Sequence, residues 1–167
     1  MADLKTFVQS QLAQKQASQS VDWSRRREKW VAELSHLFDF VRKALLDAGL
    51  PSDQIVSATH SLREETLGMY QAPGMVVILP AGGRITFTPI GSVIIGGYGR
   101  VDVTGPARER VKLIADDAVE DRPESDETPS YEREWAWHVH PGPGYRGSFR
   151  LDEQGLAQLL AIVAGSK

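Results

Sequence analysis

Two histidines stand two residues apart in the run Trp135-Ala136-Trp137-His138-Val139-His140. On a β-strand this spacing puts both imidazoles on one face with Ala136, while Trp135, Trp137 and Val139 take the other. A His-x-His pair supplies two of the three or four ligands that zinc, nickel or iron requires from a protein. A third would have to come from His60, Glu64, Glu65 or Asp102. So completed, His138 and His140 would hold a divalent metal and support a hydrolase or nuclease. The competing expectation is that the tryptophan face is the core and the histidines sit on its solvated back. No other cofactor is called for.

A second group of residues is suited to binding rather than catalysis. Arg100-Val101-Asp102-Val103 alternates charged and aliphatic side chains, so Arg100 and Asp102 share the face opposite the valines. There they form a surface ion pair or line a pocket. Arg25-Arg26-Arg27-Glu28-Lys29 places four cations at the start of a helix, where the macrodipole prefers anions. An anionic partner, or the acidic loop of another copy, would relieve them. Tyr145 follows Pro141-Gly142-Pro143-Gly144 in a loop that turns the chain or grips a ligand. Arg25, Arg26, Arg27, Arg100, Asp102 and Tyr145 are therefore the candidate binding residues.

Several mechanisms fall away. The chain has no cysteine, which removes thiolate zinc sites and cysteine nucleophiles. No Gly-x-Ser-x-Gly elbow occurs. Glu64 and Glu65 are adjacent and face opposite sides of a strand, so they do not form a catalytic carboxylate pair. The glycine-rich run of residues 91–100 lacks a following Gly-Lys-Ser/Thr and precedes a strand rather than a helix, so its glycines read as bends in a curved sheet.

The elements that must position these residues follow from periodicity. Leu4, Phe7, Val8 and Leu12 form a short amphipathic stripe, after which QKQASQS (14–20) loses it and reads as a linker or frayed end. A long helix over residues 22–48 carries Trp30, Leu34, Leu37 and Val41 on one stripe and stops at Gly49-Leu50-Pro51. From residue 54 the period becomes strand-like. Strands are expected over 55–62, 66–70, 75–79, 84–88, 93–95, 100–104, 110–115, 133–140 and 148–151, with turns at Pro73-Gly74, 80–83, 89–91 and Gly105-Pro106. A closing helix starts at its N-cap Asp152 and ends at Gly165. Residues 116–132 hold eight acidic side chains against Arg122 alone, a local charge of −7, so the rest of the chain carries +4. That segment reads as a solvated, flexible loop.

The sum is an α+β chain. A long N-terminal helix packs on a curved antiparallel meander of six to eight strands, with a short C-terminal helix and a partly closed barrel as the structural alternative. Residues 1–20 form an arm and 21–167 a single domain. At 167 residues with 41% hydrophobic and 25% charged side chains, one proper core is affordable. The net charge of −3 argues against a nucleic-acid coat. The longest apolar run, 75–79, is far too short to span a bilayer, and the first residues lack a secretory pattern, so the expected location is cytoplasmic. With no catalytic motif complete, the leading expectation is a non-catalytic protein-binding or regulatory module. Its partner would be another protein or a second copy of itself. A metal-dependent hydrolase built on His138 and His140 is the alternative.

Overall fold

The computed structural model describes residues 3–142 and 147–165, with residues 14–22 described as backbone. Its first element is a single helix, α1, Leu4–Asp47. The expected break at residues 14–20 does not occur. Gln, Lys and Ala are strong helix formers, and no Gly or Pro interrupts the chain before Gly49, so loss of the apolar stripe removes packing without removing the helix. Asp3 caps it, its carboxylate accepting the Thr6 N–H at 2.8 Å. At ~1.5 Å per residue α1 is about 66 Å long. Its C-terminal half carries Trp30, Leu34, Leu37, Phe38 and Val41 into the core, while Leu4, Phe7, Val8 and Leu12 at the other end are exposed.

Seven strands follow: β1 Ile55–Glu64, β2 Gly68–Ile78, β3 Arg84–Gly91, β4 Gly99–Thr104, β5 Val111–Asp117, β6 Trp135–His140 and β7 Phe149–Arg150. They form one sheet in simple sequential order, antiparallel throughout, and not closed into a barrel. The closing helix, α2, is Glu153–Ala164; Asp152 caps its start and Gly165 ends it in the left-handed region at φ 77°. Both helices lie on one face. Ile85, Phe87, Val101, Val103, Val111, Leu113, Ala115, Trp135, Trp137 and Val139 point into the core beneath α1 and α2, and alternate residues face away.

Three expectations about the strands are corrected. Pro73-Gly74 is not a turn. It lies inside β2, where Thr59 pairs with Pro73 and Ala58 with Gly74. Pairing of β2 with β3 ends at Met75, so Pro73 sits on an edge, where a residue without an N–H is tolerated. Beyond that point β1 and β2 form a free two-stranded ribbon, which twists strongly. The core-packed residues accordingly change parity, from Val77 and Met75 to Ala72 and Tyr70. Pro89-Ile90-Gly91 is likewise no turn but the end of β3, with a bulge between Pro89 and Gly91. Residues 93–95 form no strand; only an isolated bridge, Ile94 to Gly97, marks them.

The acidic segment is more ordered than its composition implies. Arg122 donates to Asp117 and to Asp126 (2.7 Å), and Arg133 donates to the Asp126 carbonyl (3.1 Å). Asp126 Oδ1 also accepts from the Thr128 hydroxyl and from the Thr128 N–H (3.0 Å), and these two bonds, then the one from Arg122, hold its carboxyl well below the ordinary aspartate range. The two half-buried arginines thus offset the charges of Asp117 and Asp126, while Glu120, Asp121, Glu124 and Glu127 stay exposed to solvent.

Candidate functional site

Period-two alternation puts one row of polar side chains on the helix-free face of the sheet. Register brings them together: Lys112 is opposite His140, Ile114 opposite His138 and Arg100, and Asp102 opposite Lys112. Four of the residues singled out from sequence, Arg100, Asp102, His138 and His140, therefore share this open face. Arg100 and Asp102 form a bidentate pair, Nε to Oδ1 at 2.7 Å and Nη2 to Oδ2 at 2.9 Å. Both carboxylate oxygens are thus occupied, and Asp102 does not turn toward the histidines.

His138 Nδ1 lies 3.0 Å from Asp116 Oδ1. Both atoms are buried and find no aligned hydrogen bond. Asp116 was not foreseen as a histidine partner, because cross-strand register, not spacing, brings it there. His140 stands two residues on. Burial holds its pKa below the ordinary imidazole value, and His138 and Lys112 push the same way against a weaker pull from Asp116. His140 is therefore neutral at pH 7. The other proposed ligands are elsewhere: His60 packs over Gly74, Glu65 is exposed in a turn, and Glu64 is engaged at the far end of the sheet. Among the described residues, no group of three or more His, Asp and Glu side chains is arranged to hold a metal ion.

The basic run on α1 lies away from this face. Arg25 reaches Glu132 at 3.7 Å and lies over the Tyr131 ring, an exposed contact worth under ~1 kcal/mol. Arg27 donates to the Leu67 carbonyl at 3.2 Å. Arg26 donates to Ser92 at both its carbonyl (2.8 Å) and its hydroxyl (3.2 Å). These cations are spent on loops of their own chain. Tyr145 lies outside the described residues.

Arg26 belongs to a polar network that sequence reasoning missed. Glu64 Oε1 accepts the backbone N–H groups of Ser92 (3.0 Å) and Val93 (2.9 Å), and its other oxygen accepts the Tyr70 hydroxyl. The Tyr70 oxygen in turn accepts the Trp30 indole N–H at 3.0 Å. Burial, then the bond to Glu64, pushes the Tyr70 phenol far above its ordinary range. Burial lowers the Arg26 pKa, and Glu64 opposes that. Ser92, fully buried, donates to the Tyr98 carbonyl at 2.6 Å. The network fastens the loop of residues 92–98 to α1 and β1. The glycines serve that packing: a Cβ on Gly91 would press on Glu64 Oε1 at 2.8 Å, and one on Gly99 on the Trp30 ring at 2.2 Å.

Comparison of the chain with protein-family models, with curated proteins and with solved structures gives no match.

Proposed function

We infer that the protein is a non-catalytic protein-binding module whose N-terminal helical arm enters an apolar groove on another protein. One observation carries this reading. Leu4, Phe7, Val8 and Leu12 are exposed by 78, 58, 44 and 61%, on a helix continuous with the core-packed half of α1. They stand at i, i+3, i+4 and i+8, the anchor spacing of a helix laid into a groove. The stripe spans about 12 Å at ~1.5 Å per residue. Two such stripes face to face would bury far less than the ~1,600 Å² of a standard stable interface, so the reading favours a different protein over a second copy.

The test begins with the isolated protein. Phe7→Ser and Leu12→Ser together are expected to change its unfolding free energy by less than about 0.5 kcal/mol, as for exposed positions without partners. Its mass in solution is expected to stay monomeric by light scattering. A loss above about 1.5 kcal/mol would mean that the stripe is already packed, and this reading would fail. A dimer that the double substitution dissociates would replace the foreign partner with a second copy.

A further inference from the structure

The open face carries a cleft of about 630 Å³ at the start of β5, within the size range of small-molecule sites. Arg108, Arg110, Lys112 and Ile114 recur at every second residue and all line it. His140 joins from β6, directly across from Lys112. The pinned loop of residues 92–98 forms one lip, where Ile95 is fully exposed. That lip is set close to the floor, since a Cβ on Gly97 would meet Ile114 Cγ2 at 2.5 Å.

We propose that this cleft binds a phosphate monoester, its anionic head held by Arg108, Arg110 and Lys112 and its apolar body held against Ile95 and Ile114. Three cations lie within five residues of a chain whose net charge is −3. Glu109 is the acidic side chain on the lining, leaving the cationic excess in place. Asp102, across from Lys112 on β4, is held by Arg100 through both oxygens. Among the described residues, no ion pair or hydrogen bond engages the Arg108, Arg110 or Lys112 side chains. Arginine forks match phosphate oxygens two at a time, and a dianion suits three clustered cations better than a single carboxylate does. His140 also lines the cleft, and burial holds its pKa below the ordinary imidazole value. This proposal is independent of the arm on α1.

Phenyl phosphate is the probe, with inorganic phosphate and benzoate as comparisons, followed by calorimetry and by the His140 ring resonances in NMR. Phenyl phosphate is expected to bind with Kd below about 1 mM and at least tenfold more tightly than either comparison. Arg110→Ala with Lys112→Ala, both exposed and so compatible with folding, should weaken it tenfold or more. Binding should raise the His140 pKa, because a nearby anion favours the imidazolium; affinity then rises as pH falls toward that pKa. A phosphotyrosine peptide separates the sources: tighter binding than phenyl phosphate assigns the head group to a phosphorylated side chain, weaker binding to a free metabolite. Equal affinity of the wild type and the double variant, or unmoved His140 resonances, would overturn the proposal.

Discussion

Trp30→Ala is expected to lower the unfolding free energy by about 3–5 kcal/mol. Trp30 is fully buried, and its ring lies 6.1 Å from that of Trp137 on β6. Its indole N–H is spent on Tyr70. Truncation therefore opens a cavity between α1 and the sheet and removes a donor from the polar network. Gly99→Ala probes the same contact from the opposite side. Its Cβ would stand 2.2 Å from the ring, which is packed against Trp137 and tied to Tyr70, and overpacking of this kind costs about 1–3 kcal/mol. Urea unfolding of both variants checks this; a loss below about 1 kcal/mol for Trp30→Ala would contradict the packing of α1 described above.

Glu64→Ala is expected to cost about 2–4 kcal/mol. It leaves two backbone N–H groups and the Tyr70 hydroxyl without their acceptor and removes the negative charge facing partly buried Arg26. Glu64→Gln keeps the shape and one acceptor oxygen, so its loss should be smaller. Hydrogen exchange at Ser92 and Val93 reads the effect locally. Those two amides should lose protection in Glu64→Ala well before the amides of β4 and β5 do. Unchanged protection would show that the loop is held by something other than this carboxylate.

Much of the fold was legible from turn chemistry. Leu79 and Gly83 close the β2–β3 hairpin at Pro80–Gly83, where Gly82 and Gly83 take φ of 112° and 93°. Asp152 and Gly165 bracket α2 as their residue types require. The misreadings share a cause: a local signal was overruled by pairing or by propensity. Pro73-Gly74 has the composition of a turn, yet β1 continues to pair with it. QKQASQS has no apolar stripe, yet nothing in it ends a helix. At the open face, alternation paired Arg100 with Asp102 and His138 with His140, and register across β4, β5 and β6 put the two pairs on one face. Contacts between distant segments were not legible. Arg26 meets Ser92 across 66 residues, and Asp116 meets His138 only because β5 and β6 pair in that register. The row Arg108, Arg110, Lys112 carries a period-two pattern of its own in the sequence.

The proposed role of the α1 arm is docking in an apolar groove of another protein. A photo-crosslinking residue in place of Leu12, in the full-length chain in its native cells, tests it most directly. The prediction is one dominant adduct with a second protein. Phe7→Asp should abolish it, and the purified partner should bind the wild type at least tenfold more tightly than that variant. An adduct pattern that Phe7→Asp leaves unchanged, or adducts formed only with the chain itself, would contradict the account.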